Sequence, residues 1–181
     1  MKGVFLFIFE VIKIVILALL IVIPIRYFIF QPFVIKGNSM EPNFHHGDYL
    51  IVDEISYRIF KEPERGDIIV FNYPQDPSQR FIKRIIGLPG ETVVIEGEKI
   101  TISKGTEERI LDESTYLPSQ NYFDNVSLSL SEDEYFVLGD NRLASFDSRK
   151  WGSLPRNYIV GRVILRTWLP IAVARISAPS Y

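Results

Sequence analysis

Thr92-Val93-Val94-Ile95-Glu96-Gly97-Glu98-Lys99-Ile100-Thr101-Ile102 decides the class of fold. Two runs rich in β-branched residues, 92–95 and 99–102, are split by Glu96-Gly97-Glu98. Glycine supplies the positive φ that tight hairpin turns demand, so the stretch reads as a β-hairpin. Outward from it, short apolar runs broken by Gly, Pro, Asn and Asp mark strands at 33–36, 49–53, 67–71, 80–86, 135–138 and 159–166. Sustained helical periodicity is absent beyond residue 32. The reading is mostly β: a partly closed antiparallel β-barrel or paired sheets. Residues 103–133 are more polar, with Glu107, Glu108, Asp112, Glu113, Glu132 and Asp133, and read as a small cap-like excursion from the barrel.

The first 30 residues are of another kind. Residues 4–30 are dominated by apolar side chains, interrupted by Glu10, Lys13, Pro24 and Arg26. The charge-free core, 14–25, is 12 residues long, whereas about 20 are needed to cross the hydrocarbon at 1.5 Å per residue. A spanning helix therefore borrows from its ends, where Lys13 and Arg26 can reach toward water. Tyr27, Phe28, Phe30 and Phe33 suit an interfacial aromatic belt. A buried core helix is the competing reading; a cleaved signal peptide fits less well, because no small-x-small site follows closely. The division expected is a membrane anchor with one transmembrane helix at 1–31 and a β-rich domain at 32–181. Lys2 and Lys13 precede the core while Arg26 and Lys36 follow it, so charge alone leaves the orientation open. The apolar tail at 163–176, with Trp168 and Pro170, either closes the core or lies against lipid headgroups.

Composition narrows the chemistry. The 181 residues carry 20 Lys plus Arg against 22 Asp plus Glu, a net charge of -2. No basic cluster suits a phosphate backbone, so nucleic acid is not an expected partner. There is no Cys, which removes disulfides, thiolate metal sites and a cysteine nucleophile. The two His residues, His45 and His46, are adjacent and lack metal-ligand spacing, so no metal or cofactor is expected. Their scarcity also weakens a Ser-His-Asp reading.

Three segments carry possible chemistry. In Gly37-Asn38-Ser39-Met40-Glu41-Pro42 a serine sits in a turn-like setting, and by itself a serine there is most often a turn residue. In Phe81-Ile82-Lys83-Arg84-Ile85-Ile86 strand alternation places Lys83 with Phe81 and Ile85. Such a lysine either faces solvent from an edge strand or is desolvated. If desolvated, its pKa falls and its neutral amine can serve as a general base to a serine. Gly139-Asp140-Asn141-Arg142 reads as a tight turn, and Ser145-Phe146-Asp147-Ser148-Arg149 follows it with an Asp147–Arg149 pair close enough to lock a loop.

Together these segments resemble bacterial type I signal peptidase, the Ser-Lys leader peptidase family, from the anchor through about residue 166. Ser39-Met40-Glu41-Pro42 with Gly47-Asp48, Arg65-Gly66-Asp67-Ile68-Ile69-Val70-Phe71, Lys83-Arg84-Ile85-Ile86-Gly87-Leu88-Pro89-Gly90, and Gly139-Asp140-Asn141-Arg142 with Ser145, Asp147, Ser148 and Arg149 occur in family order. The resemblance implies a membrane-bound serine endopeptidase that removes signal peptides from secretory preproteins after a small-x-small motif. Ser39 is then the nucleophile, Lys83 the base, and Ser145 the group that hydrogen-bonds and orients the lysine. Asp147 and Arg149 support the site as an ion pair, and Asp140, Asn141 and Arg142 shape the loop around it. Gly37, Met40 and Pro42 belong to the nucleophile segment. Implied partners are signal peptides, the phospholipid bilayer and the protein-export machinery. The implied location is the bacterial cytoplasmic membrane, single-pass, with the catalytic domain on the extracytoplasmic face.

Some positions depart from the pattern. Gly37 stands where one branch of the family has a hydroxyl residue that helps hold the oxyanion; here the Ser39 backbone N–H is the expected donor. Asn43 replaces the usual Thr after the proline, and Leu143 and Ala144 replace an acidic and an amide residue. Gly37 and the small insert resemble the compact Gram-positive-like branch. Two other readings stand beside this one: a related Ser-Lys peptidase with a dedicated substrate, and a non-cleaving membrane-tethered β module that binds exported segments.

Overall fold

The computed structural model describes the backbone of residues 2–28, 30–117, 124–168, 172–176, 178 and 179; the side chains of 2, 5, 21–28, 30–32, 124, 168 and 172–175 lie outside the described set. The aromatic side chains expected at a membrane interface at 27, 28 and 30, and Trp168 and Pro170 of the tail, therefore fall outside it.

Helix α1, Lys2–Phe28, opens the chain. At 1.5 Å per residue its 27 residues measure about 40 Å. Every described side chain along it is exposed, from Val4 at 65% to Leu20 at 65%. Among the described residues, no helix is long and apolar enough to cross a membrane, so the transmembrane helix expected at 1–31 is not found among them.

Strand β1, Phe30–Val34, follows directly and pairs antiparallel with β2, Tyr49–Asp53. A single turn of helix, α2 (Ser56–Ile59), leads toward β3, Ile68–Tyr73, which is paired with β4, Asp76–Gly87. After the second sheet, β9 (Glu134–Leu138) returns to β4. Helix α3 (Ser148–Trp151) and the two-residue β10 (Leu154–Pro155) precede β11 (Ile159–Trp168) and β12 (Ala172–Arg175). The main sheet runs β1-β2-β11-β3-β4-β9-β10, with β12 on β11. Its pairings are antiparallel and its path is open, so the expectation of two sheets holds while the partly closed barrel does not.

Strand β3 is apolar at nearly every position because both faces are covered. Ile68 and Val70 enter one cluster with Ile35, Met40, Phe44, Leu50, Val52 and Val163. Ile69 and Phe71 enter another with Tyr57, Ile85, Tyr135, Val137, Leu154 and Ile159. The register Ile69↔Lys83 puts the lysine at the centre of this sheet.

The second sheet is β7-β6-β5-β8, built from Thr92–Gly97 (β5), Lys99–Lys104 (β6), Glu107–Ile110 (β7) and Asp124–Ser129 (β8). The hairpin read from the sequence closes across Glu96↔Lys99, with Gly97 at φ +61°. Val93, Ile95, Ile100 and Ile102 point inward by strict alternation and pack on Ile86, Phe136 and Leu138 of the main sheet. The segment expected as a polar excursion thus supplies two strands. Strand β7 shows no alternation, since all four of its residues are exposed on a sheet edge.

Candidate active site

Ser39 lies just past β1, in a turn set by Gly37. Gly37 has φ +98°, a conformation that L side chains rarely adopt. Its N–H donates to His46 Nδ1 at 3.1 Å, while the Ile35 N–H donates to the Asp48 carbonyl at 3.0 Å and Gly47 N–H to the Ile35 carbonyl at 2.9 Å. Beyond the serine, Met40 is buried and anchors the segment in the core, and the Glu41–Pro42 peptide bond is cis.

Lys83 comes to Ser39 from β4, 44 residues along the chain, with Nζ 2.8 Å from Ser39 Oγ. Nζ also donates to the Ile82 carbonyl at 2.9 Å and lies 5.6 Å from the centre of the Phe81 ring. The side chain is 4% exposed. Burial is the main reason its pKa falls from 10.5 to about 8; Arg149 adds to the lowering, and Asp147 and Asp140 oppose it. Of the two readings left open by the sequence, the desolvated lysine is the one present.

The last motif wraps behind the serine. The Asn141 N–H donates to the Ser39 carbonyl at 3.0 Å, and Asn141 Nδ2 to the Asn38 carbonyl at 3.1 Å. Gly139 packs so closely that a Cβ there would overlap Ser145 and lie 2.5 Å from the Ser39 carbonyl oxygen. Its N–H donates to Asp147 at 3.1 Å. Asp147 is fully buried and accepts from Arg149 Nε and Nη2, each at 2.8 Å. Burial works to raise the Asp147 carboxyl, but the hydrogen bond and charge of Arg149 outweigh it and hold the group below the usual carboxylate range. Arg149 Nη2 donates further to the Arg142 carbonyl at 2.7 Å, tying the two ends of the loop together.

Ser145 differs from expectation. Its hydroxyl is buried close enough to Asp147 to favour that carboxylate's charge, yet it makes no hydrogen bond in this arrangement. The amine that the resemblance has it orient is engaged instead by Ser39 and by its own strand's Ile82 carbonyl.

Asp140 organises the other side. It takes Arg84 in a two-pronged pair, Nε to Oδ1 at 2.8 Å and Nη2 to Oδ2 at 2.7 Å, with both groups buried. Asn43 Nδ2 donates to the same carboxylate at 2.8 Å and to the Tyr116 carbonyl at 2.9 Å. A threonine hydroxyl has one proton to give, so the Asn43 amide makes a connection that the usual residue cannot. Arg142 donates to the Gly139 carbonyl at 3.0 Å and reaches Glu113 with two bonds of 2.6 Å. Arg84 also lies 4.0 Å from the Tyr116 ring centre.

Gly139, Glu113 and Tyr116 are therefore parts of the site that the sequence does not single out as site residues. Gly139 stands inside one of the four motifs, where an obligatory glycine is a readable signal. Glu113 and Tyr116 fall in the polar segment 103–133 and carry no local signal.

A cleft of about 330 Å³ has Ser39 and Lys83 in its lining. It is lined by Phe33 of β1 with Ile35 and Lys36 just beyond it, by Ser78, Arg80, Phe81 and Ile82 of β4, and by Leu50 and Val70 of β2 and β3. Chemically, a serine hydroxyl against a desolvated, low-pKa amine can act as a nucleophile with its base. Among the described residues no group of His, Asp or Glu is placed to hold a metal.

The profile of a protein family described as "Signal peptidase, peptidase S26" matches residues 8–168. The chain is similar to signal peptidase I of Leptolyngbya laminosa, 40% identical over 166 residues, covering 88% of this chain and 79% of that one. Probable signal peptidase I-2 of Synechocystis is 38% identical over 162 residues, covering 86% and 71%. Signal peptidase I of Bacillus amyloliquefaciens is 38% identical over 156 residues, covering 82% and 79%. A crystal structure of a signal peptidase I from Enterococcus faecalis aligns with 35% identity and a TM-score of 0.47, over 56% of this chain and 97% of that one.

Proposed function

The chain belongs to the signal peptidase family, peptidase S26, and on that premise we propose that Ser39 and Lys83 are the dyad with which it cuts secretory preproteins after a small-x-small motif. Its activity is that of the family, peptide-bond hydrolysis that removes signal peptides. The observation that carries the assignment of residues is the 2.8 Å approach of a buried amine, with its pKa lowered to about 8, to the Ser39 hydroxyl.

The substrate lies extended in the cleft between β1 and β4, held by main-chain hydrogen bonds, with alternate side chains entering the apolar walls. Neutral Lys83 accepts the Ser39 proton as Oγ bonds to the scissile carbonyl carbon. The Ser39 backbone N–H stabilises charge on the carbonyl oxygen. The C–N bond then breaks, the leaving amine takes the proton from the Lys83 ammonium, and an ester to Ser39 remains. Water gives a proton to Lys83 as it attacks that ester, and Ser39 Oγ recovers the proton when the product acid leaves. Ser145, whose buried hydroxyl lies by the Asp147 carboxylate, is the hydroxyl available to receive the ammonium while it exists. Asp147–Arg149 and Arg84–Asp140 keep the surrounding loop in place.

The family is membrane-associated. In this reading residues 1–31 are the anchor and 32–181 the catalytic domain outside the cytoplasm. The support is the apolar stretch 4–30 together with the exposure of every described side chain of α1. Cleavage of a preprotein by Ser39→Ala and Lys83→Arg, with folding checked by circular dichroism, tests the dyad. Loss of cleavage in both is expected; full activity in either overturns it.

A further inference from the structure

The cleft beside the dyad is lined by twelve residues, and no Asp or Glu is among them. Its charged residues are Lys36, Arg80 and Lys83. Lys83 is buried against the serine, but Lys36 and Arg80 are exposed at the rim. Neither of these two makes an ion pair among the described residues. The Arg80 guanidinium lies 5.2 Å from the Phe33 ring centre, so a cation from the β4 wall rests on the aromatic of the β1 wall. The backbone on either side of Lys36 is held, since the Ile35 N–H donates to the Asp48 carbonyl and the Gly37 N–H to His46 Nδ1. Two unneutralised cations over low-dielectric apolar walls give the cleft a positive potential.

We propose that Lys36 and Arg80 make this cleft charge-selective, favouring acidic or neutral side chains over basic ones in the substrate segment that precedes the scissile bond. The inference rests on the reading that this cleft holds that segment. A basic side chain entering it meets like charge and has no carboxylate to pair with. An acidic one finds Arg80 already held by stacking, so less side-chain freedom is lost on pairing. An exposed pair of this kind is worth about two- to fivefold in an equilibrium or rate. A Glu-to-Lys exchange in the substrate, attractive in one case and repulsive in the other, is expected to change kcat/KM by about tenfold at low salt. Raising the salt shrinks this ratio, because exposed charges are screened.

The test uses the full chain in an uncharged detergent. Peptide substrates differ only in carrying Glu, Gln or Lys at the second, fourth or fifth residue before the cut, with alanine kept at the first and third. Wild type is expected to prefer Glu over Lys at one or more of these positions, with a smaller ratio at high salt. Arg80→Gln and Lys36→Gln should each reduce the ratio, and Arg80→Glu should reverse it, a result that general damage to the cleft would not give. Because the ratio is taken within each variant, a change in overall activity does not obscure it. Efficient cleavage with a Glu-to-Lys ratio of one in wild type, or the same ratio in all variants, overturns charge selection and leaves the dyad standing. Failure to cut even the Gln peptide, with Ser39→Ala indistinguishable from wild type, overturns the reading of the site and the inference with it. If the variants keep the ratio but lose binding to vesicles of anionic lipid, the two cations serve headgroups instead and the proposal fails.

Discussion

The second sheet and the loop behind Ser39 are stabilised by opposite means. The sheet buries Val93, Ile95, Ile100 and Ile102 against Ile86, Phe136 and Leu138 of the main sheet. The loop at 139–149 buries Asp140, Arg142 and Asp147 and satisfies each with named partners, Arg84, Glu113 and Arg149. Apolar burial is non-directional and tolerates repacking. Buried ion pairs are directional, and removing one partner leaves a charge stranded in low dielectric. The difference teaches where position matters: the sheet supplies free energy, while the loop fixes the serine carbonyl and the surroundings of the lysine to within a hydrogen bond.

Four perturbations break or sharpen this contrast, from the largest effect down. Ser39→Ala or Lys83→Met should lower kcat/KM by about 10⁴-fold or more, read from preprotein cleavage. Asp140→Ala should cost about 3–5 kcal/mol in denaturant unfolding, because buried Arg84 loses its carboxylate. Activity should fall with it even in the folded fraction, since Asn43 also loses its anchor. Ile95→Ala should cost about 2–5 kcal/mol through the cavity it leaves, yet kcat/KM of the folded protein should stay near wild type. A large loss of activity there would mean that the two regions are coupled and the contrast is false. Glu107→Gln, exposed on the edge strand β7, should stay within about 0.5 kcal/mol.

Lys83→Met also tests how the site is held. The folded-state pKa of Lys83 is lowered to about 8 from 10.5. The native state therefore binds fewer protons than the unfolded chain between those values, and stability rises with pH across that window. Below about pH 8 the full cost of burying the ammonium is present. Replacement by methionine should stabilise the protein at pH 7 by on the order of 1–3 kcal/mol, and the rise in stability between pH 8 and 10.5 should disappear. A stability curve unchanged by the substitution would show that the lysine is not desolvated.

Legibility in the sequence follows the same contrast. Runs of β-branched residues around a glycine turn reveal β5 and β6, unbroken apolar runs reveal β3 and β9, and strand alternation places Lys83 on the face of Phe81 and Ile85. Strand β7 escapes such a reading because it buries nothing and so carries no period. Strand β8 lies in the same polar segment and is hidden by its composition. That Ser39 and Lys83 meet is not readable from spacing, since 44 residues separate them; only the resemblance of four ordered motifs joins them. The Glu113–Arg142 and Asn43–Tyr116 contacts have no signal at all, because a pair distant in sequence leaves no local pattern. The buried setting of Ser145 and its close packing on Gly139 are likewise invisible in the sequence.

The most direct measurement is the titration of the Lys83 amine by NMR of ¹³C- or ¹⁵N-labelled lysine in the full chain, assigned with Lys83→Arg. A midpoint near 8 is expected. A midpoint above about 10, the value of a solvated lysine, would contradict the account, because the amine beside Ser39 would then be protonated whenever substrate arrived.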